Sequence, residues 1–206
     1  MTPERRYVVA VAGPTGSGKS ALVQRLVAQL GDACALYMDD YERMTREPMD
    51  QVRRWAERGA DFDELDVPLL GEHLRRLKSG EPVVEPSRQT RILPGRCILF
   101  ETQFGRAHIA TAALIDLLIW IDVPLEVALA RKLKAFAAQA LLEEHAARER
   151  LAWLDGYLAN YLALVRRLLL IQAQRVRPQA DLVLDGSGAL EPMVASAREH
   201  ILERLR

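Results

Sequence analysis

Cysteine is scarce in this chain. The only two, Cys34 and Cys97, each lie in or beside an apolar run, and neither belongs to a C-x-x-C pair. That excludes a disulfide framework or thiolate metal site and predicts two buried free thiols. Net charge is missing as well: 28 basic and 28 acidic residues cancel. With no overall positive field to draw it to nucleic acid or anionic lipid, neither is an expected partner. Long apolar runs are also absent. The most apolar stretch, residues 109–123, is interrupted by Asp116 and Asp122 and is too short to span a bilayer, so it reads as core. Residues 1–6 lead straight into the first apolar run, without the apolar segment and cleavage site of a leader, and the expectation is a cytoplasmic protein. Neither an internal repeat nor a low-complexity linker is evident.

What the chain does have is alternation. Its 206 residues suit a single domain, 1–206, long enough to bury a substantial core. Apolar runs of strand length occur at 7–12, 33–38, 97–100, 117–123 and 181–184, separated by segments of helical periodicity. This predicts an α/β fold, a parallel sheet with helices on both faces. The first helix should run from Lys19 to about Leu30, stopped by Gly31. Asp66 looks like the N-cap of another helix, which ends at Gly80. Residues 81–94 are proline-bounded β-type runs that suit a hairpin-like insertion over a substrate. Pro124 opens a helix, and a long Ala/Leu/Arg-rich region over about 137–175 follows, punctuated by Asp155-Gly156. A final amphipathic helix starts at Pro192.

The strongest local signal is Gly13-Pro14-Thr15-Gly16-Ser17-Gly18-Lys19-Ser20. It fits G-x-x-x-x-G-K-[ST] directly after the first apolar run, the strand–turn–helix order of a phosphate-binding loop. Its glycines let the backbone curl until successive N–H groups face a phosphate chain. The helix N-terminus adds its unpaired N–H groups, Lys19 reaches the β- and γ-phosphates, and Ser20 offers its hydroxyl to Mg²⁺. Ala21 continues this nucleotide-binding segment.

Other candidates follow from where ligands sit on a parallel sheet, beyond the carboxyl ends of its strands. Asp39 and Asp40 follow the second strand. Asp39 is placed to orient an acceptor hydroxyl and take its proton, while helix capping is the plainer role for such residues. Glu101 ends the third strand and is a candidate for metal or acceptor. Ser20, Asp39 and Glu101 form the expected Mg²⁺ set. Arg131 and Lys134, with Lys132 between them, lie on the helix after the fourth strand, where cations can neutralise a transferring phosphoryl group or form an ordinary solvated face. Arg88 and Arg91 in the hairpin lean toward substrate. Arg106 and His108 either line the cleft or start a helix. His73, on an amphipathic helix, reads as surface.

With these residues placed, the chain resembles the uridine kinase and nicotinamide riboside kinase branch of the P-loop small-molecule kinases. Beyond the phosphate loop, Asp39-Asp40-Tyr41, Asp61-Phe62-Asp63, the helix before Gly80-Glu81-Pro82-Val83, Ile98-Leu99-Phe100-Glu101 and Ala180-Asp181-Leu182-Val183-Leu184 carry the likeness. The resemblance implies a three-layer P-loop sandwich with a five-stranded parallel sheet, and a lid over about 131–150. It further implies ATP and Mg²⁺ as cofactors, Asp39 as base, Arg131 and Lys134 closing over the γ-phosphate, and a substrate pocket using Tyr41, Asp61, Arg88, Arg91 and Arg106 with the two site carboxylates. A small-molecule acceptor follows; a homodimer is left open. The chain departs from the pattern with Thr102 where Gly is usual, a lid without its Asp, and a different ribose segment at 59–65. Three readings therefore stand: a nucleoside or ribose-like acceptor first, a non-nucleoside acceptor such as a sugar, sugar acid or vitamin precursor, or a nucleotide-binding switch.

Overall fold

The computed structural model describes residues 5–41, 49–65, 67–141 and 147–206. Its centre is β1 (Tyr7–Ala12), which pairs in parallel with β5 (Cys97–Glu101) on one side and β6 (Leu117–Asp122) on the other. β2 (Ala33–Tyr37) extends the sheet beyond β5, and β7 (Leu182–Asp185) extends it beyond β6. The order β2-β5-β1-β6-β7 makes a five-stranded, wholly parallel sheet. Successive side chains of a strand face opposite sides. Val8, Ala10 and Ala12 therefore enter one core with Leu36, Phe100, Leu118 and Trp120, and Val9 and Val11 enter the other. Burial on both faces is why β1 is apolar throughout instead of alternating.

Helices cover each face. α1 (Lys19–Leu30) and α8 (Leu190–Leu205) send Leu22, Val23, Leu26, Val194, Ala197 and Ile201 into the Val9–Val11 side. On the other side Leu70, Leu74 and Leu77 of α3 (Pro68–Ser79) join Val176 of α7 (Arg166–Val176). The remaining helices are α2 (Met49–Glu57), the short α4 (Ile109–Ala112), α5 (Leu125–Leu141) and α6 (Ala147–Asn160). Between β2 and β5 the two short strands β3 (Val83–Val84) and β4 (Arg91–Ile92) pair antiparallel, a hairpin outside the main sheet. Cys34 and Cys97 are buried and free, and burial pushes the Cys97 thiol up to about 12. Among the described residues no helix is long and apolar enough to cross a membrane.

Local expectations fail at three places and go untested at a fourth. Asp155-Gly156 does not break the chain. Gly156 lies inside α6, and the irregularity comes later, as a π-helical turn at Tyr161–Val165 that leads directly into α7. One glycine costs a helix only about 1 kcal/mol, too little to end one held by its neighbours. α8 begins at Leu190, before Pro192, because proline is tolerated anywhere in the first turn. His73 is buried, not surface: its ring shares the inward face with Leu70, Leu74 and Leu77. Asp66, the expected cap of α3, lies outside the described residues.

Candidate active site

The register brings the chemistry together. Glu101 at the end of β5 stands opposite Val11 of β1 and Tyr37 of β2. One row beyond, β1 runs into the phosphate loop, and β2 into a 3₁₀ turn at Met38–Asp40 that carries Asp39 and Asp40. The loop needs its glycines for two different reasons. Gly18 caps α1 in a left-handed conformation, φ 97°, and Gly16, also at positive φ, presses against α5 so closely that a Cβ would lie 2.3 Å from the Ala128 carbonyl oxygen. A side chain would push the loop off α5 at Gly16 and strain the backbone at Gly18.

Lys19 is buried and turned back on its own loop, its Nζ donating to the carbonyls of Gly13 (3.0 Å) and Pro14 (3.2 Å). Burial lowers its pKa, opposed by the Glu101 and Asp39 carboxylates. Glu101 shows the mirror effect. Burial raises its pKa, against the pull of Lys19 and of a hydrogen bond from Ser20; the neighbouring Asp39 and Asp40 push it up further. Ser17 Oγ is buried with no hydrogen-bond partner among the described residues, an orphaned hydroxyl in a loop built to receive something polar.

The site's second cation is Lys132 on α5. Burial lowers its pKa, Asp39 opposes this, and its charge reaches Lys19. Its Nζ also lies 4.7 Å from the centroid of the Tyr157 ring, a cation–π distance. The flanking candidates, Arg131 and Lys134, do not share that position. Arg131 donates to the carbonyls of Gly186 (2.6 Å), Ser187 (2.9 Å) and Gly188 (3.2 Å), bracing the turn after β7. Lys134 is exposed; it sits about 200° around the helix from Lys132, because each residue advances about 100°.

The substrate candidates divide too. The hairpin turn is tied to the end of β2 by a Ser87 hydroxyl donating to Asp40 (3.0 Å). Arg88 lies on that turn, its charge acting on the half-buried Tyr37 phenol. Arg91 is exposed on β4. Tyr41 is buried, its hydroxyl 2.9 Å from His73 Nδ1. Asp61 accepts from the Asp63 N–H (3.1 Å), capping a turn beside α2. Arg106 is a correction. Its guanidinium is spent at the amino end of the sheet, on Asp181 (2.8 Å) and on the carbonyls of Gln179 (2.9 Å) and Asp116 (3.4 Å), away from the phosphate loop. His108 is buried, its Nε2 3.1 Å from the Leu65 carbonyl oxygen.

Sequence reasoning missed two glutamines. Gln103 donates to Asp39 Oδ1 at 3.1 Å. Gln172 of α7 is buried and donates to the carbonyls of Gln103 (2.7 Å) and of Gly13 in the phosphate loop (3.2 Å). A signal for Gln172 was present: it falls on the helical stripe of Leu168 and Val176, where a polar residue needs a reason. Nothing in the local pattern marks Gln103.

No protein-family model matches the chain. It is 26% identical over 203 residues, 91% of each chain, to the uridine kinase of Deinococcus deserti. Among solved structures it resembles a possible uridine kinase from Bacillus stearothermophilus, with a TM-score of 0.56 and 17% identity over 90% of this chain and 91% of that one. It also resembles the shikimate kinase of Acinetobacter baumannii in complex with shikimate, with a TM-score of 0.53 and 17% identity over 98% and 96%. Identities this low speak for the fold alone, but sequence likeness, sheet order and phosphate loop agree. In sequence the chain is similar to uridine kinases, and in architecture it has the fold of the P-loop kinases.

Proposed function

We propose that the protein transfers the γ-phosphoryl group of ATP to a hydroxyl of a small polar metabolite, with a nucleoside or ribose-like compound as the first acceptor to test. One observation carries this reading: Lys19, Asp39 and Glu101 converge electrostatically at the mouth of the phosphate loop, from three adjacent strand ends. The loop amides and Lys19 bind the phosphates. Lys19 must leave the Gly13 and Pro14 carbonyls to do so, an exchange its charge favours once phosphate oxygens are within reach. Asp39 orients the acceptor hydroxyl and accepts its proton. Lys132, held over Tyr157, faces the charge that develops on the transferring group, a role the sequence pattern assigned to Arg131 and Lys134.

The donors around Ser20 fit a hard cation. Its hydroxyl is hydrogen-bonded to Glu101, and Asp39 completes an all-oxygen set without a sulfur or imidazole ligand. These residues would hold Mg²⁺, which supplies charge neutralisation across the phosphates. Glu101 must be ionised to serve.

A non-nucleoside acceptor is the second reading, favoured by Thr102 and Gln103. Thr102 is buried and accepts from the Phe104 (3.1 Å) and Gly105 (3.3 Å) N–H groups, and Gln103 already occupies one oxygen of Asp39. The acceptor pocket here is thus walled differently from one with glycine after the strand. Release of ADP from Mg·ATP, measured with uridine, other nucleosides, simple sugars and shikimate in parallel, tests both readings. The first predicts stimulation by a nucleoside, the second by another class. No stimulation above the water rate by any of them would overturn both and leave the nucleotide switch.

A further inference from the structure

Thr102, Gln103 and Gln172 make hydrogen bonds that nothing in the phosphate-loop motif requires. Thr102 Oγ1 gathers the N–H groups of Phe104 and Gly105 and itself points at Met38 Sδ, 3.7 Å away, beneath the turn that carries Asp39. This fixes the turn after β5, so that the Gln103 side chain meets Asp39 at 3.1 Å while its carbonyl points the other way, toward α7. There Gln172 receives it. The Gln172 amide is oriented unambiguously, because both of its contacts are carbonyls that only the NH₂ group can serve. One NH₂ group therefore bridges the turn carrying Gln103 and the Gly13 carbonyl of the phosphate loop. Its Oε1 is buried without a partner among the described residues, a cost tolerated where the amide's position is worth more than its full satisfaction.

Gly13 O is also one of the two carbonyls that hold Lys19. The Gln172 amide and the Lys19 ammonium thus share an acceptor. When Lys19 turns to phosphate, Gln172 remains to hold the carbonyl outward, keeping the loop's N–H groups aimed inward. We infer that Gln172 and Gln103 are positioning residues that lock the phosphate loop and Asp39 into one frame, so that donor phosphate and acceptor hydroxyl are held in register. The inference rests on the proposed role of Asp39 for its acceptor leg only. The loop leg is independent of it. In-line transfer is sensitive to such registration, and a misplacement of about 1 Å can cost about 10²-fold in rate.

Two measurements separate the legs. Binding of Mg·ADP, followed calorimetrically without acceptor, should weaken about fivefold or more in Gln172→Leu, and stay within about twofold of the parent in Gln103→Leu, since only the first removes a donor from the Gly13 carbonyl. Turnover of Mg·ATP, measured with uridine and with water as sole acceptor, should fall about tenfold in Gln103→Leu at unchanged KM for ATP, and further in Gln103→Glu, which sets a like charge against Asp39. Adding Gln103→Leu to Asp39→Asn should cost nothing more, because residues acting through one another are not additive. Melting temperatures identify variants that merely misfold. Should Gln172→Leu fail to fold, Gln172→Met takes its place, and the half-buried Gln103 carries the other leg regardless. Parent-like ADP binding in the Gln172 variant overturns the loop leg. Parent-like turnover in Gln103→Leu, or additivity with Asp39→Asn, overturns the acceptor leg. Parent-like turnover in Asp39→Asn alone instead refutes that residue's proposed role and leaves the Mg·ADP result to judge the frame.

Discussion

The two ends of the central sheet carry similar charges arranged to opposite effect. At the amino end two carboxylates, Asp116 and Asp181, are matched. Asp181 accepts from the Leu118 N–H (2.7 Å) and Arg106 (2.8 Å), and Asp116 accepts from the Val8 N–H (2.9 Å) and Lys78 (2.7 Å), with Arg5 at 3.8 Å. Burial works against the Asp181 carboxylate, yet these partners hold its pKa below the ordinary value. At the carboxyl end the balance is reversed. Glu101 is pushed up and Lys19 down by the same burial, because their mutual attraction and the Ser20 hydrogen bond do not offset it. One end is electrostatically finished. At the other, burial outweighs pairing, which is how a site that takes phosphate should look.

Removing charge should therefore act oppositely at the two ends. The largest effect on activity is expected from Lys19→Met. Turnover should fall by about 10³-fold, since a phosphate-contacting cation is lost where charge develops, while the melting temperature holds or rises because a desolvated ammonium is gone. A large drop in melting temperature would show that Lys19 is structural and erase the contrast. Asp39→Asn comes next. Loss of a general base typically costs about 10²–10⁴-fold in turnover, and affinity for metal-free ATP, measured by calorimetry, should not fall.

At the finished end the readout reverses. Asp181→Asn should leave kcat and KM unchanged but lower stability by about 1–3 kcal/mol, because Arg106 loses its counter-charge and the Leu118 N–H a charged acceptor. The sign with pH follows from the depressed pKa. Asp181 contributes its stability above the ordinary value of 3.8 and loses it as pH falls through the lower folded value. The variant's denaturation midpoint should accordingly be flatter with pH below 3.8 than the parent's. A matching slope in both proteins would show that the Arg106–Asp181 pair carries no linkage.

How much of this was legible in the chain depends on distance along it. β1, the loop and α1 are contiguous, so apolar run, glycines and helix start could be read in place, and Glu101 was found because it ends an apolar strand. Arg106 was misplaced because the turn after Thr102 carries it back to the opposite end of the sheet, a path no local pattern encodes. Arg131 and Lys132 are neighbours in sequence about 100° apart on their helix. Which one meets the loop depends on how α5 packs against Gly16, and that is fixed by a close approach invisible in composition. Gln103 acquires a role only through Asp39 and Gln172, partners 64 and 69 residues away, and a lone glutamine in a loop announces nothing.

His73 is the clearest case of a readable signal passed over, and it yields the smallest predicted effect. Leu70, His73, Leu74 and Leu77 have the spacing of one buried stripe, and the structure places the imidazole within it, against Tyr41. Burial lowers its pKa below 6.5; Glu72 opposes the shift, and Arg76 adds to it. The folded state therefore resists a proton that the unfolded chain takes up below 6.5, and stability falls as pH drops from 6.5 toward the lower folded value. His73→Gln keeps a polar partner for Tyr41 and removes that titration. Its melting temperature should decline less than the parent's over this interval, with little change above it. The carboxyl end of β2, where Tyr41 follows Asp39 and Asp40, would then be shown to rest on a neutral imidazole. Equal slopes in the two proteins would mean that His73 is protonated as readily in the folded state as in the unfolded, and that the support under Asp39 is no less tolerant of charge than the surface.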